Sequence, residues 1–107
     1  MERVVRIDET DVTMRATAAT LIRYRGTFNR DLIRDLQEMQ ATEGGEMAPG
    51  TAETISRLAY IMDTGKGRES FEEWLDRWTP FGVLMAGPDI LGLWTSSQQT
   101  LVDGKKK

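Results

Sequence analysis

At 107 residues, with 39% hydrophobic and 29% charged side chains, the chain has room for one modest core and the balance of a globular domain. A net charge of −3 argues against a nucleic-acid platform, and no apolar run nears the roughly 20 residues a membrane helix needs. With neither histidine nor cysteine, disulfides, cysteine nucleophiles, Cys/His metal sites and the commonest general base are all excluded.

The opening, MERVVRIDET, lacks the apolar stretch of a secretory signal, so a cytoplasmic address is the default expectation. Residues 3–16 alternate as a two-stranded hairpin should. Val5 and Ile7 point one way, and Val12, Met14 and Ala16 match them beyond a polar turn, Asp8-Glu9-Thr10-Asp11. Such a ribbon is marginal alone and must lie on helices or join another sheet.

From Thr17 the period becomes helical. Thr17 is an N-cap candidate, followed by Leu21, Tyr24, Arg25 and Phe28, with Gly26 near the end. Asn29 is placed to cap a second helix whose stripe is Leu32, Ile33, Leu36 and Met39. The two helices form either one kinked rod or a tight corner. Residues 42–50 (TEGGEMAPG) form a loop by composition. A third helix is expected from Thr51 as N-cap, with core face Ile55, Leu58, Ala59 and Met62, flanked by Tyr60 and Ile61 and ended by Gly65.

Residues 70–94 hold all three tryptophans and two of the three phenylalanines. Ser70-Phe71-Glu72-Glu73 reads as a capping box opening a fourth helix with face Phe71, Trp74, Leu75 and Trp78. Pro80 stops it. Phe81 to Met85 reads as one apolar turn, and Gly87-Pro88 opens a last helix carrying Ile90, Leu91, Leu93 and Trp94. The expectation is one domain over residues 1–107. It is mainly α, about five short helices in a compact bundle with an N-terminal two-stranded β-hairpin (hairpin 3–16, helical region 17–98, frayed tail 102–107).

Chemistry-bearing clusters are sparse. Asp31 with Asp35, and Glu72, Glu73 and Asp76, are better explained as helix-start charges and partners of Arg30, Arg34 and Arg77 than as acid/base pairs. They have no accompanying nucleophile or oxyanion donor. Gly65-Lys66-Gly67-Arg68 lacks phosphate-loop spacing and follows a helix rather than a strand. Arg15, Arg23, Arg25, Arg30 and Arg34 form the one basic region, interrupted by acids. No cofactor or metal is expected. Three tryptophans and six methionines suit an apolar contact surface, since tryptophan anchors interfaces and methionine adapts to partners.

Four segments, taken in order, carry a resemblance. They are Val12-Thr-Met-Arg-Ala-Thr-Ala-Ala-Thr20, then Tyr24-Arg25-x-x-Phe28-x-Arg30-Asp31-Leu32-Ile33-x-Asp35-Leu36, then Ile55-x-x-Leu58-Ala59-Tyr60-Ile61-Met62, and finally Phe71-Glu72-Glu73-Trp74-Leu75-Asp76 followed by Ile90-Leu91-x-Leu93-Trp94. Together they resemble the small tail assembly chaperones of long-tailed bacteriophages, particularly those of Gram-positive hosts. The chain departs from that pattern near Leu21, where family members often carry proline, at Asn29, where they often carry glycine, and in a short connector around Gly65. The resemblance implies a non-enzymatic protein of the host cell cytoplasm that binds the tape measure protein, keeps it soluble and helps recruit tail tube subunits. It also implies absence from the mature virion and, in many members, a longer form made by ribosomal frameshifting, with which Lys105-Lys106-Lys107 is compatible.

The client groove is expected at the interrupted C-terminal helices, at Trp78, Phe81, Leu84, Met85 and Trp94. Self-association through the ribbon's free edge is compatible with the sequence, though no residue demands it. Two other readings stand beside the chaperone: a small phage DNA-binding regulator using the arginine-bearing helices, and a structural tail or connector protein retained in the virion.

Overall fold

The structure is a computed structural model that describes residues 1–40 and 50–106, leaving aside the side chains of residues 40 and 98–106. The loop expected over 42–50 therefore lies, but for Gly50, outside the described residues. Two strands, β1 (Glu2–Ile7) and β2 (Thr10–Arg15), precede six helices. These are α1 (Ala18–Phe28), α2 (Leu32–Gln40), α3 (Thr51–Met62), α4 (Phe71–Leu75), α5 (Gly82–Met85) and α6 (Gly87–Lys106). The count among the described residues is six where about five were expected, because the apolar turn after Pro80 is a helix in its own right.

β1 and β2 pair antiparallel, with Val5 opposite Val12 and Ile7 opposite Thr10. The turn is tighter than the four polar residues suggested. Only Asp8 and Glu9 lie outside the strands, both with left-handed φ (48° and 70°), the combination a two-residue type I′ hairpin requires. Asp8 is anchored there by its own carboxylate, which accepts from the Thr79 backbone N–H at 2.7 Å and from Thr79 Oγ1 at 2.9 Å. The expected inward set holds: Val5, Ile7, Val12, Met14 and Ala16 are all buried.

α3 is the central post and packs against all five other helices and β2. Its expected face is buried, and so are Thr54, Tyr60 and Ile61, because neighbours surround it rather than covering one side. Thr51 is the first helical residue rather than the cap; Gly50, with φ of 82°, takes that place without a side-chain bond. The helix ends at Met62, before Gly65, and Asp63 closes it.

Asp63 is a structural hub. Its buried carboxylate accepts from the Trp74 indole N–H and from the Gly65 N–H, each at 2.8 Å. Thr64 donates its N–H and hydroxyl to the Thr13 carbonyl, each at 3.0 Å, which occupies the outer edge of β2. An edge-to-face ladder of rings then runs Tyr24, Phe28, Phe71, Tyr60, Trp74, Trp78, with centroid spacings of 4.9–5.7 Å, each pair adding directional attraction to area burial. The Ser70 capping box forms as expected, with both reciprocal bonds present. α4 stops at Leu75, so Trp78 follows the helix rather than riding on it. α6 runs on to Lys106, past residue 98 and through most of the stretch expected as a tail; beyond Pro88 in its first turn no proline interrupts it.

Candidate docking surface

The α1–α2 junction resolves the choice between rod and corner. α1 opens with a capping box between Thr17 and Thr20 and closes on Asn29, whose φ of 54° and N–H bond to the Arg25 carbonyl end the helix. Asn29 thus caps the end of α1, not the start of α2. An asparagine tolerates this left-handed position better than most residues. The start of α2 is held instead by Asp31, whose carboxylate accepts from the Arg34 N–H at 3.3 Å.

A buried charge network holds the corner. Asp35, only 4% exposed, accepts from the Tyr24 hydroxyl at 2.6 Å and from Arg30 Nε and Nη2, both at 2.9 Å. Arg57 of α3 donates to the Tyr24 hydroxyl at 3.0 Å and places its Nη2 3.7 Å from the Asp35 carboxylate. The Arg30 bonds, with help from Tyr24, hold the Asp35 carboxyl below the usual carboxylate range. Burial, reinforced by the hydrogen bond to Asp35, pushes the Tyr24 phenol up to about 12. Of the Asp31/Asp35 pair, then, one member caps a helix and the other anchors the corner.

What the corner exposes is apolar. α1 turns Thr20 and Tyr24 inward, leaving Leu21 38% and Ile22 74% exposed. α2 buries Leu32 and leaves its neighbour Ile33 38% exposed. Leu21, Ile22 and Gly26 face Leu32 and Ile33 across an open cleft of about 520 Å³, with Arg25 and Asp31 at its polar rim. A Cβ added at Gly26 would meet nothing within 4 Å, so the glycine leaves this cleft open down to the backbone. A second groove of about 310 Å³ lies between α2 (Ile33, Leu36, Gln37, Met39) and α6 (Leu91, Trp94, Thr95). Ile33 lines both, so the two openings meet at its side chain on α2, the α1–α2 cleft being the more apolar of the pair.

The sequence-expected groove residues divide. Phe81 and Met85 are 68% and 79% exposed, one helical turn apart, as an isolated apolar knob around α5. Leu84 is half-buried against the core. Trp78 is half-buried, stacked edge-on against Trp74 at 5.7 Å, with the Arg77 guanidinium over its ring and an indole N–H without a partner among the described residues. Trp94, 7% exposed, alone of the five lines the α2–α6 groove. The α1–α2 cleft was missed. Its signal was the adjacent pairs Leu21-Ile22 and Leu32-Ile33: neighbours on a helix are about 100° apart, so a helix covered on one side only tends to leave one member of such a pair toward solvent.

Arg15, Arg30 and Arg34 of the basic region are paired with Glu2, Asp35 and Glu38. Lys66 of the glycine-lysine connector donates to the Asp63 carbonyl at 2.9 Å and sits over the Tyr60 ring. Among the described residues, no group of three acidic side chains could hold a metal ion, and no helix is long and apolar enough to cross a membrane. No family model matches the chain, and no curated protein or solved structure matches it either.

Proposed function

We propose that this chain is a non-enzymatic tail assembly chaperone of a long-tailed bacteriophage, acting by apolar contact on another polypeptide. The observation that carries the reading is the open apolar cleft lined by Leu21, Ile22, Leu32 and Ile33, beside which Leu36, Leu91 and Trp94 line a second groove. A cleft flanked by helices, apolar along its floor and charged at its rim, is the geometry into which an amphipathic helix lays its apolar face. A tape measure protein, largely helical and very long, offers many such faces, and several weakly held copies would keep it soluble through avidity. Recruitment of tail tube subunits, action in the host cytoplasm, loss from the mature virion and a frameshifted longer form all belong to the same proposal. The ordered resemblance from Val12 to Trp94 supports them.

Within the reading, the docking residues are Ile22 and Ile33 together with Trp94, while Phe81 and Met85 form a second candidate contact. Trp78 and Leu84, expected to share that groove, pack mainly against the core and serve the fold.

The test is co-expression with the tape measure protein of the same phage. The chaperone reading expects the client to become soluble and to co-purify. Ile22→Asp and Ile33→Asp should abolish capture while leaving thermal stability within roughly 1 kcal/mol, since both positions face solvent. A client that stays insoluble and does not bind the wild-type chain refutes the reading.

A further inference from the structure

The free edge of β1 is self-complementary, and we propose that two copies of the chain pair β1 to β1 in antiparallel register about a twofold axis at Val4. The hairpin's own hydrogen bonding determines which groups face outward. Met1 and Ala16 exchange both backbone bonds, at 2.8 and 3.0 Å, so along the paired register Arg3·Met14, Val5·Val12 and Ile7·Thr10 do the same. The N–H and C=O groups of Glu2, Val4 and Arg6 therefore point away from β2. No described residue hydrogen-bonds to them. The other edge is different: the outward Thr13 carbonyl is already taken by Thr64.

An unpaired edge strand is a template for another strand, and here its side chains specify which. Glu2, Val4 and Arg6 are all exposed on one face, Val4 at 57%. A twofold at Val4 sets Glu2 against Arg6 of the second copy, Val4 against its own mate, and Arg6 against the second copy's Glu2. All three outward residues can then exchange both backbone bonds. A twofold at Arg3 would oppose two arginines, and one at Val5 would set Val4 against Arg6; neither satisfies the charges.

The Val4 register also extends pairs already present. Glu2 holds Arg15 at 2.9 Å, and Arg6 lies opposite Asp11 across the hairpin. One row of the four-stranded sheet would read Arg15, Glu2, then Arg6 and Asp11 of the second copy, alternating in sign throughout. Opposite charges directly across a ladder stabilise it and like charges do the reverse. The contact is isologous and closes at two copies. It uses none of the residues of the α1–α2 cleft or the α2–α6 groove, so it stands or falls independently of the chaperone reading.

Three measurements on the full chain test it. Sedimentation equilibrium of the wild-type protein should give twice the chain mass. Glu2→Arg and Arg6→Glu, each folded by circular dichroism, should each self-associate on the order of tenfold more weakly, because each now faces like charge twice. Mixing the two variants should restore a dimer, since one copy then carries arginine at both outward positions and meets glutamate at both positions of the other. Independently, the chain has no cysteine, so Val4→Cys should cross-link to a disulfide dimer on mild oxidation. Facing Cα atoms in a hydrogen-bonded pair lie about 5.5 Å apart, within disulfide reach. Thr13→Cys, on the same face but away from the edge, should not. A wild-type chain that sediments as a monomer overturns the proposal, even if β1 variants weaken binding of some other polypeptide. Equal cross-linking of the two cysteine variants overturns the register.

Discussion

Replacing Asp35 by alanine tests whether a buried charge network, rather than apolar packing alone, holds the α1–α2 corner and hence the open cleft beside it. The substitution removes the acceptor of the Tyr24 hydroxyl and the counter-charge of Arg57, whose side chain is only 15% exposed. Arg30, 47% exposed, can turn to water and adds less. Removing one partner of a buried pair leaves an uncompensated charge and typically costs about 3–5 kcal/mol; the partial exposure around Arg30 favours the lower end, about 3 kcal/mol. For a domain of this size that corresponds to a fall in Tm of about 12–24 °C. Asp35→Asn keeps the shape and one acceptor and should lose about 1–2 kcal/mol. Tyr24→Phe, which deletes one hydroxyl but leaves the arginines on the carboxylate, should lose about 1 kcal/mol. Urea unfolding followed by circular dichroism at pH 7 reads all three, and the Tyr24→Phe/Asp35→Asn double mutant gives the coupling. If Asp35→Ala costs less than about 1 kcal/mol, or if Tyr24→Phe costs as much as Asp35→Ala, the network does not carry the corner.

The same network sets a pH dependence. Arg30 and Tyr24 depress the folded Asp35 pKa below its ordinary 3.8, so its contribution is complete above that value and drains as pH falls through the folded one. The stability gap between wild type and Asp35→Asn should therefore be flat near neutrality and close in acid. At the other limb, burial raises the folded Tyr24 pKa to about 12 from 10.0; its contribution is intact below 10 and is lost as pH rises toward 12, an alkaline loss that Tyr24→Phe should remove. Ser70→Ala breaks the capping box at α4 and should cost about 1 kcal/mol by thermal melting. Glu9→Gly relieves a left-handed φ of 70° at an exposed turn. A gain of about 1 kcal/mol in thermal melting is expected; no gain refutes the strain argument.

Local physics was legible without a structure. Alternation located the ribbon and its inward set, Val5, Ile7, Val12, Met14 and Ala16. The Ser70–Glu73 box and the Thr17 cap were readable because a cap is a contact among residues three or four apart. Pro80 falls within the break between α4 and α5, where proline removes a donor, but α4 ends at Leu75, five residues before it. The core stripe of α3 followed from its period alone.

What depends on residues far apart in the chain was not legible. Asn29 could cap either neighbouring helix by composition, and only the packing of α1 and α2 against α3 assigns it to the end of α1. Trp78, Leu84 and Trp94 read as equals of Phe81 and Met85, because hydropathy does not report which side of a turn meets a neighbour. Trp94 lines a groove only because α2 lies beside α6. Asp35 looked like an ordinary helix charge; its burial follows from Tyr24 eleven residues before it and Arg57 twenty-two after. Periodicity determines which side chains share a face, but a face becomes core or surface only when another element covers it. That choice belongs to the long-range contacts of the folded chain.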